Sequence, residues 1–346
     1  MTIVDMLRAN AEKYPSEVAL VEVNPERREN RHITWRDYEL VETTDDEPFR
    51  REMTWSVFDE KANRFANLLL SRGVRKDDKV AILLYNCIEW LPLYFGVLKS
   101  GATVVPLNFR YSADEIEYCL DKADVNILVF GPEFIGRVEE IVDRIQAGRL
   151  LFFVGDDCPT WAESYRELAS LCSSADPRVP LSEHEDAAIY FSSGTTGFPK
   201  AILHNHESLT QAAEMEQRHH GQTHDDVFLC IPPLYHTGAC MHWMGSLLVG
   251  GRGVLLRGVI LRCRSCVRIG RSRWCRVRRG RCRSRRIGRQ RDVAVRGGLR
   301  RIRVCRSLAR GGSPCVGSRR SVETRAFRIG IAGHQHKVEH TAGNEG

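Results

Sequence analysis

Residues 190–201 read Tyr-Phe-Ser-Ser-Gly-Thr-Thr-Gly-Phe-Pro-Lys-Ala. Six consecutive hydroxyl or glycine residues (Ser192, Ser193, Gly194, Thr195, Thr196 and Gly197) make a poor helix and a poor strand. Glycine loses backbone entropy in either, and serine and threonine compete for backbone hydrogen bonds. The composition therefore predicts a loop. Gly194 and Gly197 are free to take positive φ and turn successive N–H groups inward, the hydroxyls add donors, and Lys200 supplies a point charge. That set suits a polyanion such as the phosphates of a nucleotide. Apolar residues 187–191 read as a strand leading in, and residues 201–203 as another leading out. A Walker-type phosphate loop is excluded, because it needs glycine before the lysine and Ser or Thr after it, whereas Pro199 precedes Lys200 and Ala201 follows.

Working outward, residues 77–85 (DDKVAILLY) read as a turn and a buried strand, 86–99 as a helix stopped by Gly101, and 102–106 as a further strand. Ser112 and Glu115 have the spacing of a capping box, after which Ile116, Cys119 and Leu120 fall on one helix face. Residues 125–130 and 150–154 are β-branched or aromatic runs of strand length, separated by a helical pattern over 133–145. An N-terminal helix is expected over about 5–13, and another over about 56–71. In the second, Phe58, Ala62, Phe65 and Leu69 keep the 4, 3, 4 spacing of a core stripe. Strands alternating with helices of this length predict an α/β class with a largely parallel sheet. Residues 33–39 (ITWRDYE) and 53–60 (MTWSVFDE) resemble two copies of one phrase, so 36–52 reads as an insertion or the likeness as chance.

The glycine loop resembles the phosphate-binding signature of the AMP-forming adenylating enzymes, roughly Ser-Ser-Gly-Thr-Thr-Gly-x-Pro-Lys-Gly, with Ala201 in place of the last glycine. Two further stretches are similar to that superfamily: Gly101-Ala-Thr-Val-Val-Pro-Leu-Asn, and Pro232-Pro-Leu-Tyr-His-Thr-Gly238 after the apolar run 227–231. The resemblance implies an incomplete N-terminal domain of the adenylating-enzyme fold, layered sheets with flanking helices. It further implies that Ser192, Ser193, Gly194, Thr195, Thr196, Gly197 and Lys200 hold the phosphates of ATP. His236 would position the substrate beside the acyl and adenylate pocket; the alternative is a histidine merely hydrogen-bonded in a turn between strand and helix. His204 and His206 read as structural. The implied activity is that of an acyl-CoA synthetase: a small-molecule carboxylate, ATP with Mg2+, and coenzyme A as thiol acceptor. No catalytic residue and no protein metal ligand is assigned. A nucleotide-binding fragment without catalysis is the alternative for residues 1–257.

Beyond residue 257 the text changes character. Residues 258–346 carry 24 arginines, one lysine (Lys337) and four acidic residues, a net of +21, against −14 in residues 1–257. The overall +7 is thus an average of two unlike segments. The basic segment lacks sustained helical or strand periodicity and is dominated by Arg, Gly, Ser, Val and Cys, which predicts disorder. Its GC-rich codon types and abrupt start suggest an out-of-frame reading of a gene, which would leave the enzyme truncated and inactive. One alternative is an arginine-rich arm that binds nucleic acid through phosphate contacts. Another is a zinc site drawing on Cys263, Cys266, Cys275 and Cys282 with His334, His336 and His340. The family's Tyr-Gly-x-Thr-Glu, Thr-Gly-Asp, hinge and late lysine segments are not found in 258–346, and HQHKVEH around Lys337 does not resemble the last of these.

The six cysteines before residue 257 form no disulfide framework, and the opening MTIVDMLRANAEKYP lacks a basic and then apolar leader, so a cytoplasmic protein is expected. Apolar strands at 80–84 and 227–231 are expected to be left with unpaired edges and to lower solubility.

Overall fold

Phe58, Ala62, Phe65 and Leu69, spaced as a core stripe, are all fully buried on one helix face. In the computed structural model, residues 1–24, 33–36, 39–42, 50–192 and 199–257 are described, and of 33–36 and 39–42 the backbone alone. The chain begins with α1 (Ile3–Lys13), β1 (Val18–Val23), β2 (Ile33–Arg36), β3 (Glu39–Glu42), β4 (Arg50–Thr54) and α2 (Trp55–Ser71). It continues through β5 (Lys79–Leu83), α3 (Trp90–Lys99), β6 (Thr103–Pro106), α4 (Ala113–Lys122), β7 (Ile127–Phe130), α5 (Ile135–Glu139), α6 (Val142–Ile145) and β8 (Leu150–Phe153). Then follow β9 (Glu163–Ser164), α7 (Tyr165–Leu171), β10 (Asp186–Ser192), β11 (Lys200–Asn205), α8 (His206–His220), β12 (Val227–Cys230), α9 (Thr237–Val249) and β13 (Arg252–Leu256).

Seven strands form one sheet in the order β11-β10-β6-β5-β7-β8-β9, parallel throughout except for the β10–β11 pair. Because successive strand residues face opposite sides, Val80 and Ile82 of β5 join a core with α2, α3, α8 and α9, while Ala81 and Leu83 join another with α4 to α6. Helices therefore cover both faces of this sheet, as the α/β reading requires. A second sheet, β12-β13-β1-β4, lays Leu20, Cys230 and Leu255 against the first of those cores. Among the described residues β2 and β3 pair with each other alone; of the two similar phrases one opens on a strand and the other runs from the end of β4 into α2. Among the described residues no helix is long and apolar enough to cross a membrane.

Three expectations from the sequence are corrected. The helix expected over 86–99 starts only at Trp90, because the Asn86 side chain is engaged elsewhere. The helical pattern over 133–145 is broken into a 3-10 turn (Pro132–Phe134), α5 and α6, with Glu140 and Ile141 between the helices. The expectation that 80–84 lies on an unpaired edge is overturned: β5 is paired on both sides and Val80, Ala81, Ile82, Leu83 and Leu84 are buried. The other predicted edge is present, since β12 ends its sheet among the described residues and Val227, Leu229 and Ile231 are exposed.

Local signals hold well. Ser112 accepts from the Glu115 N–H while Glu115 accepts from the Ser112 N–H, a complete capping box on α4. Gly101 ends α3 at φ +83, in the left-handed region that glycine takes without strain. The described text ends where the composition changes: β13 lies between β12 and β1, and Arg257 directly after it pairs with the buried Glu133 at 2.7 Å.

Candidate functional site

β10 is buried from Ala187 through Tyr190 and reaches partial exposure at Phe191 and Ser192. β11 returns antiparallel with Lys200 directly opposite Ser192. The glycine-rich stretch is therefore the connection of a two-strand hairpin, entered and left by strands as its composition implies. Ser193, Gly194, Thr195, Thr196 and Gly197 lie outside the described residues. Pro199 is buried at the foot of the loop, and Lys200 is exposed with no hydrogen-bond or ion-pair partner among the described residues.

The base of this hairpin is tied to α9. Tyr190, two residues before Ser192, stands 3.1 Å hydroxyl to hydroxyl from Tyr94 of α3, and the Cys240 thiol of α9 lies against it. Burial pushes both tyrosine hydroxyls well up and the Cys240 thiol up to about 12. All three stay protonated at neutral pH and act as packing, not as acids or nucleophiles.

Cys240 lies one turn past His236, which is the N-cap of α9. The His236 Nδ1 accepts from the Gly238 N–H at 3.1 Å, and the ring is exposed. The capping bond is the turn geometry that the plainer reading expects. It also fixes the tautomer, because an accepting Nδ1 leaves the ring proton on Nε2.

Sequence reasoning missed the groups that hold His236 in place. Asn86 donates to the Pro232 carbonyl at 2.9 Å and accepts from the Leu234 N–H at 2.8 Å, clamping the segment before α9 across more than 140 residues of chain. Tyr235 meets Phe109 edge to face at 5.2 Å, and Phe109 meets Tyr85 the same way at 4.9 Å. Burial raises the Tyr235 hydroxyl, and the nearby Arg110 opposes it; that guanidinium is exposed and lies over the Phe109 ring. Phe109 and Arg110 directly follow the Pro-Leu-Asn phrase ending at Asn108, the one signal that pointed to them. Arg137 supports this loop by donating to the carbonyls of Phe109 and Tyr111 at 2.9 and 2.7 Å.

His204 and His206 are structural, as expected. His204 meets Tyr190 edge to face at 5.6 Å. His206, fully buried at the start of α8, has its imidazole pushed down to about 4 by burial, against the pull of Glu185 and Asp5. Cavities of about 650 Å3, beside Arg8, Asp59 and Asp176, and about 410 Å3, beside Arg110 and Arg137, lie among the described residues, and Ser192, Lys200 and His236 line neither. Lys200, Arg110 and His236 are each exposed, and no activated nucleophile is present among the described residues.

A family model described as AMP-binding enzyme matches residues 7–268. The chain is 29% identical over 214 residues to 4-hydroxybutyrate–CoA ligase 2 of Metallosphaera sedula, covering 59% of this chain and 38% of that protein. It is 32% identical over 211 residues to crotonobetaine/carnitine–CoA ligase of Salmonella agona, covering 60% and 41%. Among solved structures, the inhibitor-bound N-terminal domain of FACL13 from Mycobacterium tuberculosis superposes with a TM-score of 0.60 at 25% identity, covering 73% of this chain and 56% of that one. The chain thus spans about two fifths of the length of the curated relatives it matches. With the family model matched over about three quarters of its residues, this chain belongs to the AMP-binding enzymes.

Proposed function

We propose that this chain is the ATP-gripping portion of an AMP-forming acid–thiol ligase. The observation that carries the reading is the hairpin in which Ser192 and Lys200 face each other across the mouth of the Ser-Ser-Gly-Thr-Thr-Gly loop. Main-chain N–H groups and hydroxyls of Ser192, Ser193, Gly194, Thr195, Thr196 and Gly197, with the Lys200 ammonium, would bind the β- and γ-phosphates and stabilise the charge that builds on pyrophosphate as it leaves. In the first step a carboxylate oxygen bonds to the α-phosphorus as the bond to the β-phosphate bridge breaks, giving acyl-adenylate and pyrophosphate. In the second a thiol sulfur bonds to the acyl carbon and gives up its proton to solvent, as AMP departs with the electron pair of the broken acyl–oxygen bond.

His236, exposed and with its ring proton on Nε2, would donate toward the carboxylate, and Arg110 would add attraction for the same anion. Coenzyme A is favoured as the thiol because both relatives named above are CoA ligases. Mg2+ would travel with the ATP phosphates; we assign no residue to it, since no carboxylate among the described residues pairs with Lys200 and the Tyr-Gly-x-Thr-Glu segment is not found in 258–346.

Because the adenine, ribose and late-lysine segments are not found there either, the 346-residue chain is expected to bind ATP while forming thioester negligibly. Carboxylate-dependent ATP–pyrophosphate exchange tests this on the purified chain, alongside calorimetric ATP binding. Binding with exchange at background supports the reading, and robust exchange would show that the chemistry needs less of the family's text. Failure to bind ATP would remove the nucleotide assignment altogether.

A further inference from the structure

Outside the hairpin, α8 and α9 bring together three ligating side chains that the adenylation chemistry does not use. Glu216 and His220 are four residues apart on α8, hence on one face one turn apart, and His242 comes from α9. One donor atom from each lies within 4.8 Å of the other two. The Glu216 Oε2 is 3.1 Å from His220 Nε2 and 3.4 Å from His242 Nε2. For metal–ligand bonds of 2.0–2.1 Å, a tetrahedral ion separates its ligand atoms by about 3.3 Å, so both spacings already match the edges of such a site. The Glu216 Oε2 is also shielded from solvent and accepts no hydrogen bond among the described residues, although two imidazole nitrogens stand so near. Close approach without hydrogen bonding is what three ligand atoms facing a common centre show.

We propose that Glu216, His220 and His242 form a binding site for a divalent metal ion of the zinc class, stapling the end of α8 to α9. Two imidazoles and one carboxylate are a donor set for Zn2+ or its borderline neighbours and a poor one for Mg2+ or Ca2+, which take oxygen ligands. His220 is exposed, which leaves an entry path and a fourth position for water. The His242 Nδ1 has no partner among the described residues. The outer-shell bond that usually orients a ligand imidazole is therefore missing on that side, which weakens the site by about 10–100-fold against a fully supported one. Bound metal would hold α9 two turns from its N-cap, and so stiffen the segment that presents His236.

The test is a Zn2+ titration of the full chain, stripped of metal, by calorimetry and by thermal unfolding. Cysteine thiolates also take zinc, so the informative quantity is the difference between the parent and His220→Ala or His242→Ala. The parent is expected to bind one more equivalent than either variant, and Zn2+ at about 100 times its Kd to raise the Tm by roughly 5 °C or more. Each variant should lose that shift, with affinity at this site down by more than about 100-fold. His184→Ala, an exposed histidine on another element, should behave as the parent. Unchanged melting of the metal-free variants would show that they fold. Equal stoichiometry and equal Zn2+-dependent shifts in parent and variants would overturn the site, as would a parent that Zn2+ does not affect, for then the three side chains merely lie close together.

Discussion

A neutral histidine in the core makes the fold sensitive to acid. His206 is fully buried with its imidazole held at about 4, below its ordinary value of 6.5, so between those values the unfolded chain binds a proton that the folded one refuses. Stability from this residue is complete above pH 6.5 and is lost as pH falls toward 4, by about 3 kcal/mol in all. Urea unfolding across that window should show the decline, and His206→Gln should flatten it; an unchanged slope in the variant would contradict the assignment. Lys99 is the opposite case, a buried charge that is fully partnered. Its ammonium donates to Asp59 and Asn63 at 2.6 Å each and to Asp176 at 3.1 Å. Although burial opposes it, hydrogen bonding from Arg8 and Lys99 holds the Asp176 carboxyl well below the usual carboxylate range. Lys99→Ala should therefore cost about 1.5–3 kcal/mol by removing a charged donor from two half-buried carboxylates, of which Asp176 keeps Arg8 and Asp59 keeps the Asn63 amide, and a loss under about 1 kcal/mol in urea titration would place the network in solvent. The sequence marks His206 as structural but not its burial, and the Lys99 network was not legible, because a lysine in the last turn of a helix reads as solvated. The partners Asp59 and Asp176 are 40 and 77 residues away.

Elements were read best where their signals are local. The stripe on α2, the box on α4 and the glycine after α3 each need only a few neighbouring residues, and all three stand as the spacing implied. The start of α3 was misplaced by four residues because Asn86 spends its side chain on a segment near residue 233, information that no local window holds. Contact between helices was likewise invisible. A Cβ on Gly96 of α3 would stand 2.8 Å from the Phe65 Cβ and 2.9 Å from the Ala62 carbonyl oxygen of α2. Helix propensity alone makes Gly96→Ala stabilising by about 1 kcal/mol, whereas packing makes it destabilising by about 1–3 kcal/mol. Packing should win, and a raised Tm in the variant would show that the two helices have room to part.

For the whole molecule, the class was legible and the partition into two sheets was not. Alternation of strand and helix predicts a parallel sheet between helices, but β1 is joined to β13 across more than 230 residues, a pairing that no periodicity announces. The glycine loop was found from composition alone, whereas Asn86, Phe109 and Arg110 entered only through tertiary contact. The exposed apolar edge of β12 has a consequence for the isolated chain. Val227 and Leu229 of β12, and Ile231 just after it, are 38–41% exposed, and the strand has no neighbour beyond it among the described residues, a template for pairing between copies. Sedimentation velocity should show self-association that grows with concentration and is suppressed in Leu229→Lys; a monomer at every concentration would contradict this.

What unites loop, hairpin and family is the claim that the segment from Ser192 to Lys200 grips the phosphates of ATP. Calorimetric titration of ATP into the full chain and into Lys200→Ala measures that grip directly. A charged hydrogen bond contributes about 1.5–3 kcal/mol, so the variant is expected to bind about 10–150-fold more weakly, with Lys200→Arg intermediate. Equal affinity in the parent and in Lys200→Ala would contradict the claim.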